Sequence, residues 1–297
     1  MKSKSTAFRK SLPYYLFSLP YMLIFTVFTI LPVVIAIFLS FTNFNVMETP
    51  TFAGITNYQR LFVSDPLFKK AITNTLMIAV ITGPGGYVLS FFFAWVLNEF
   101  HPKIRTLLTL FLYAPSISGG AITIFSIIYS GDRLGWINSF LINLNLIYEP
   151  IAFLTDPKYM LGAAVVAMLW MSLGTSFLSF IAGFQSLDNK LYEAAAVDGI
   201  RNRWQELWYI TLPAMRPQLF FGAVMSITGA FGSSVVITSL FGNPTTNYTL
   251  YTLEMMLGDY GGSRFEMGYA SAIAVVLFGI MIAANEIIQK MLSKVGE

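Results

Sequence analysis

Between Lys10 and Glu48 no residue carries a formal charge, and the stretch is apolar almost throughout. A run of that length exceeds the roughly 20 residues a helix needs to cross the hydrocarbon core of a bilayer. It is also far too long for a signal-peptide core and lacks a small-residue cleavage site at its end, so it reads as a retained helix. Five more runs follow, giving spans at about 14–42, 71–98, 106–129, 159–184, 218–241 and 267–285. None of the six contains Asp, Glu, Lys, Arg or His. Only 11% of the chain is charged, against about a quarter in soluble domains. The expected fold is therefore an all-α integral membrane protein: six transmembrane helices in one domain across residues 1–297. Pro20 and Pro32 are expected to kink the first span, and Gly83-Pro84-Gly85-Gly86 to break or bend the second.

Orientation follows from the basic residues. With the N-terminus inside, twelve of the 18 Lys and Arg fall on inner segments (1–12, 99–105, 185–217, 286–297) and six on outer ones (48–70, 130–158, 242–266). Excess positive charge marks the cytoplasmic side, so both termini and the 185–217 loop are assigned there. In the 130–158 loop, Ile137, Phe140, Leu141 and Leu144 recur at helical spacing opposite Asn138, Asn143 and Asn145. That suits a short helix lying in the membrane interface, or equally a plain packing helix.

The 185–217 segment is the polar exception. Asp188 is placed to cap a short helix with Leu191, Ala194 and Ala195 on one face, and Gly199 to end it in the left-handed conformation. Asn202, with Gln205 three residues on, marks a second helix start. Trp204, Leu207 and Trp208 give that helix an apolar stripe, and Pro213 and Pro217 stop it. The expected product is a helix–turn–helix knob presenting small alanines to a partner.

Several chemistries are excluded. There is no cysteine and a single histidine, His101, so thiolate metal sites, cysteine nucleophiles and histidine relays have no material. No phosphate-binding G-x-x-x-x-G-K-[ST] loop exists, so the chain does not itself hydrolyse ATP. Carriers driven by protons or sodium keep ionisable groups at membrane depth. Their absence from all six runs implies that energy for any transport arrives from outside the chain. What the spans do offer is neutral: Trp170, Ser172, Thr175, Ser176 and Ser179 on the fourth, Ser226, Thr228, Ser233 and Ser234 on the fifth. Hydroxyls beside an aromatic face suit sugars, although small polar residues also let helices pack closely.

Glu193-Ala194-Ala195, Asp198-Gly199, Ile210-x-Leu212-Pro213 and Pro217 together resemble the "EAA" loop of ABC importer permeases. Ser40-Phe41-Thr42, Phe52-x-Gly54-x-x-Asn57-Tyr58, Asp65-Pro66-x-Phe68, Asn74-Thr75 and Gly242-Asn243-Pro244 extend the likeness over nearly the whole chain. The nearest resemblance is to the first permease of maltose- and glycerol-3-phosphate-type importers. Asn243 stands where that family usually has a second glycine.

The resemblance implies a type I permease fold in a bacterial or archaeal cytoplasmic membrane. It implies a heterodimer with a second permease, two ATPase subunits that bind ATP and magnesium, and an extracytoplasmic sugar-binding protein. It implies no cofactor on this chain, no catalysis by it and no nucleic-acid partner. Glu193, Ala194, Ala195, Asp198, Gly199, Leu212 and Pro213 would couple to the ATPase. Counting outward from that loop places Met168, Ser172 and Thr175 on one cavity face and Met225, Gly229 and Gly232 on the facing helix; Trp170 and Ser226 complete the expected substrate path. Met225, Gly229 and Gly232 lack the hydrogen-bonding groups of the maltose-type protein, which leaves the sugar open and points to a roomier cavity. A carrier acting alone, or a membrane scaffold that moves nothing, remains the alternative.

Overall fold

The computed structural model describes residues 2–293, with side chains described from 14 to 291. The side chains of Lys2, Lys4, Arg9 and Lys10, and residue Lys294, on which part of the orientation argument rests, lie outside the described residues. The chain is helical nearly throughout: α1 (Lys2–Phe25), α2 (Leu31–Leu39), a two-residue hairpin of β1 (Thr42–Asn43) and β2 (Thr51–Phe52), α3 (Thr56–Gln59), α4 (Pro66–Asn98), α5 (Pro102–Ile117), α6 (Gly120–Ile128), α7 (Trp136–Asn143), α8 (Pro157–Met171), α9 (Thr175–Ser186), α10 (Asn189–Val197), α11 (Arg203–Glu206), α12 (Leu212–Ala214), α13 (Arg216–Phe231), α14 (Ser234–Phe241), α15 (Leu253–Gly258) and α16 (Met267–Ser293). Among the described residues four helical stretches are long and apolar enough to cross a membrane: Tyr14–Leu39, Pro66–Asn98, Arg216–Phe241 and Met267–Met291. Two bent pairs raise this to as many as six, α5 with α6 at 90° and α8 with α9 at 41°. The chain divides into two compact units, Met1–Asp65 with Leu257–Val276, and Pro66–Met256 with Leu277–Glu297.

In the first unit, a π-helical turn at Thr26–Ile30 joins α1 to α2. The widened turn comes just before Pro32, which has no N–H to give to the helix ladder. The hairpin is antiparallel, with Thr42 opposite Phe52 and Asn43 opposite Thr51. Buried Asn57 donates its amide to the carbonyls of Ser40 and Thr42, both at 2.9 Å, and the Tyr58 hydroxyl reaches Ser40 Oγ at 2.8 Å. The Asp65 carboxylate accepts from Tyr260 at 3.1 Å and Tyr269 at 2.8 Å. Arg60 lies 4.1 Å over the Tyr269 ring and pairs with Glu266. Gly268 approaches the hairpin so closely that a Cβ would fall 2.0 Å from the Thr42 carbonyl oxygen. These contacts give physical roles to Ser40, Thr42, Asn57, Tyr58 and Asp65.

The second unit is built on α4, which packs against α9 and α13. Of the expected break or bend at Gly83–Gly86, no break is present. α4 runs unbroken through Pro84, and its glycines serve packing instead. A Cβ on Gly86 would sit 2.6 Å from Ser172 Oγ, and one on Gly83 3.4 Å from the Ala230 methyl, so small residues let two neighbouring helices come close. The core is Ala94, Leu97, Leu173, Phe177, Phe180, Phe184, Met215 and Leu219. Phe180 is boxed edge-on by Tyr87 and Phe91 at 5.4 and 5.5 Å.

In the loop before α8, α7 forms and turns Asn138 inward, while Asn143 and Asn145 are exposed. Asn138 is fully buried and makes three 2.9 Å bonds, donating to the Ser130 and Ile151 carbonyls and accepting from the Ile151 N–H. Trp136 and Phe140 are exposed instead. One amide thus satisfies three backbone groups of the loop. Asn74 does similar work, donating to the carbonyls of Tyr248 and Tyr251 at 3.3 and 3.0 Å, while Thr75 Oγ1 accepts the Leu253 N–H at 2.9 Å.

Candidate functional site

Three breaks in helices of the second unit meet at one cavity of about 370 Å³. α5 ends at it with Tyr113, Ser116 and Ile117. The α8–α9 junction adds Met168, Met171, Ser172, Gly174, Thr175 and Ser176. The last turns of α13 and the α13–α14 break add Met225, Ser226, Gly229, Ala230, Gly232 and Ser233. Thr82 of α4 and Val236 of α14 complete the wall. Interrupted backbone at membrane depth is tolerated where it lines a cavity, because its free polar groups then have somewhere to turn.

The helix breaks have local causes. α8 ends at Ser172, whose hydroxyl turns back to the Leu169 carbonyl, and α9 restarts after Gly174 at φ −110° and ψ −128°. At the second break Gly232 sits at φ −88° and ψ 43°, and α14 restarts with Ser233 as its N-cap. The hydroxyls are oriented. Those of Thr82, Ser116 and Ser172 each donate to a carbonyl of their own helix at 2.7–2.8 Å, which leaves their oxygen lone pairs as acceptors. Ser226 donates to Ser176, and Ser176 to the Gly222 carbonyl, both at 3.1 Å, tying α13 to α9. No lining side chain is charged. The wall is one of hydroxyl acceptors, flexible thioethers, bare glycine backbone and one phenol. Such a surface can hold an uncharged, hydroxyl-bearing ligand; it offers no acid–base or nucleophilic pair.

Met168, Ser172, Thr175, Met225, Ser226, Gly229 and Gly232 all lie on this wall. Trp170 does not. It sits on the opposite side of α8 and is 41% exposed, so the ring-stacking surface assigned to it is absent from the cavity. Tyr113 is the aromatic present instead. It was missed together with Thr82 and Ser116, because α4 and α5 are far from the loop in sequence and no spacing rule links them to it.

The 185–217 loop folds largely as its caps require. Asp188 accepts from the Lys190 N–H at 3.0 Å and starts α10. Gly199 has φ +92°, and the Ile200 N–H returns to the Ala195 carbonyl at 3.0 Å while the Gly199 N–H returns to Ala196. This paired closure is a Schellman motif and requires the left-handed residue. Asn202 caps α11 by accepting from Gln205, and Gln205 reaches back to the Arg201 N–H at 3.0 Å. A π-helical turn, Leu207–Thr211, leads into α12 and Pro213.

Two details differ from expectation. Ala195 is buried within this chain, whereas Glu193, Ala194, Val197 and Asp198 are exposed, so the face open to a partner is offset from the Ala194–Ala195 pair. Trp204 and Trp208 are exposed, and only Leu207 of the expected stripe is buried. Leu212 is half-buried and Pro213 exposed.

The loop is fastened to the end of α4. Arg203 bridges Glu99 and Glu206, each at 2.8 Å, and the Trp95 and Trp204 rings lie 5.1 Å apart. The Glu206 hydrogen bond, with Glu99 behind it, raises the Arg203 guanidinium above its ordinary pKa. Tyr192 and Thr211 hydroxyls meet at 3.0 Å and join α10 to the π turn. Glu193 faces a second cavity of about 410 Å³ beside Glu99, Arg203 and Glu206. Among the described residues no group of three His, Cys, Asp or Glu converges on a metal position.

Residues 6–294 match the family model described as "Binding-protein-dependent transport system inner membrane component". The chain is 32% identical over 285 residues to a probable ABC transporter permease protein, YesP, of Bacillus subtilis, covering 94% of this chain and 90% of that one. It is 29% identical to the arabinooligosaccharides transport system permease protein AraP of the same species, with 95% and 89% covered. It is 28% identical to the lactose transport system permease protein LacF of Rhizobium radiobacter, with 93% and 92% covered. Among solved structures, a bacterial ABC transporter involved in the import of the acidic polysaccharide alginate shares its fold. The TM-score is 0.76 at 24% identity, over 98% of this chain and 99% of that one.

Proposed function

Because this chain belongs to the family of binding-protein-dependent transport system inner membrane components, we propose that it is the transmembrane permease subunit of an ATP-driven sugar importer. The observation that carries this reading is the uncharged, hydroxyl-lined cavity at the meeting point of three helix breaks, on the spans that flank the 185–217 loop. Its relatives' names, arabinooligosaccharides and lactose among them, favour a sugar as the cargo.

In this reading the chain is one permease domain across 1–297 with six spans, each bent helix pair counting as one. Both termini lie in the cytoplasm of a bacterial or archaeal cell, as the Lys and Arg distribution implies. A second permease completes the pore. Two ATPase subunits hold ATP and magnesium, and this chain holds no cofactor and catalyses no reaction. An extracytoplasmic binding protein delivers the sugar to the outer loops. ATP-driven closure of the ATPases moves α10, and the Arg203–Glu99 and Trp204–Trp95 contacts pass that motion to α4. Because α4, α9 and α13 pack as one body, the cavity wall moves with them and access alternates. Glu193, Ala194, Asp198, Gly199, Leu212 and Pro213 serve the coupling surface, with Ala195 anchoring α10 from behind.

The test is uptake of radiolabelled lactose and arabinooligosaccharides by membrane vesicles carrying the whole assembly and its binding protein. Uptake that needs ATP and survives an ionophore is expected. Uptake that survives ATP depletion and collapses with the ionophore would establish a carrier working alone. No uptake of any saccharide under either energy source would favour a scaffold.

A further inference from the structure

The outer half of the broken fifth span, α14, begins at the cavity wall, where Gly232 and Ser233 are lining residues. The first N–H groups of a helix have no partner within it, and the aligned peptide dipoles give that end about half a positive charge. An open end of this kind, facing a cavity, is a ready place for a carboxylate or phosphate. Here the first of those groups is already taken. The N-cap, Ser233, makes no side-chain capping bond, and the Ser234 N–H is instead taken at 2.9 Å by Oε2 of Glu254, twenty residues away.

Glu254 is held in place from its own side. The neighbouring Leu253 N–H is bound by Thr75 Oγ1 at 2.9 Å, the Met255 N–H by Thr252 Oγ1 at 3.3 Å, and Leu253, Met255 and Met256 are buried. Its full negative charge exceeds the half charge of the helix end, and no lining residue offsets it.

We infer that Glu254 is a specificity-determining residue of the path: by occupying the positive end of α14 beside the cavity, it sets this wall for neutral saccharides and against anionic ones such as uronate oligomers. A sugar carboxylate entering here meets a filled helix end, a like charge behind it and no cation in the wall. The inference deepens the transport reading, from which it takes only that the cavity belongs to the sugar's route.

The absence of cysteine from the chain allows a direct test. Gly229 lines the cavity, and a Cβ there meets nothing within 4 Å, so Gly229→Cys places a lone thiol at the site. In the purified assembly in nanodiscs, cationic and anionic methanethiosulfonates of similar size are compared by their rate of adding to this chain, read by mass, each divided by its rate with a small free thiol in solution because the thiolate itself favours a cation. The cationic reagent is expected to react faster by about tenfold, the order that one unit charge at intermediate dielectric produces.

Glu254→Gln keeps an oxygen for the Ser234 N–H but removes the charge, and should bring the ratio close to unity. Glu254→Asp keeps the charge and should hold the ratio high. A reporter at Leu134→Cys, exposed in the loop before α7, should show no change with Glu254→Gln. A wild-type ratio at or below unity would overturn the inference even if the Gln variant did not assemble. So would a ratio untouched by Gln, or an equal shift at both reporters. None of these results bears on whether uptake depends on ATP, so the transport reading stands or falls separately.

Discussion

Asn138 and Gly199 show two ways in which one residue fixes a local structure. Asn138 closes the loop before α8 through three buried hydrogen bonds, so Asn138→Ala leaves three backbone groups without partners. The expected loss is about 2–4 kcal/mol, read as a lower melting temperature in detergent. Asn138→Asp should be worse, because it retains the acceptor for Ile151 but sets a carboxylate against two carbonyls. A melting temperature unchanged in both variants would contradict the role. Gly199 acts through the backbone. At φ +92° a β-branched side chain costs about 1–2 kcal/mol, so Gly199→Val should shift the α10–α11 angle and lower ATP-driven uptake several-fold while the protein still reaches the membrane. Full uptake by that variant would remove Gly199 from the coupling account.

Among the elements, α4, α9 and α13 form the body that carries the cavity, and Gly222 sets how closely α13 approaches α9. A Cβ there would lie 2.3 Å from Cζ of Phe180, a ring that Tyr87 and Phe91 prevent from swinging away. Gly222→Val should therefore destabilise by about 1–3 kcal/mol, and Phe180→Leu in the same chain should recover part of the loss. Non-additivity in that double-mutant cycle is the measurement, and strictly additive losses would contradict direct contact.

Much at this scale was legible in the sequence. The capping residues Asp188 and Asn202, the stop at Gly199 and the shared faces of Met168, Ser172 and Thr175 and of Met225, Gly229 and Gly232 follow from helical spacing and short-range backbone chemistry. What spacing does not contain is which element packs on which face. Trp170 shares a helix with Met168 and Ser172 but points elsewhere, and Tyr113 and Thr82 reach the cavity from helices with no sequence link to it. For the same reason the spacing along α7 does not show that Asn138 is buried. Its partners, Ser130 and Ile151, lie in irregular backbone on either side of the helix.

For the whole molecule, the proposed function makes the 185–217 loop the joint between a motor outside this chain and a cavity within it. Arg203 links that loop to α4 through an exposed ion pair, and exposed pairs contribute about 0–1 kcal/mol. Arg203→Ala should thus leave the melting temperature nearly unchanged while lowering uptake per ATP hydrolysed. A matching fall in both would assign Arg203 to stability alone. The central claim, that this chain is a subunit driven by separate ATPases through this loop, is tested most directly by recovering it from detergent-solubilised native membranes as wild type and as Glu193→Lys. The account predicts that wild type brings an ATPase and a second permease with it, and that the variant keeps the permease and loses the ATPase. Wild-type chain recovered alone would contradict it, and would return the loop to the role of a surface connector.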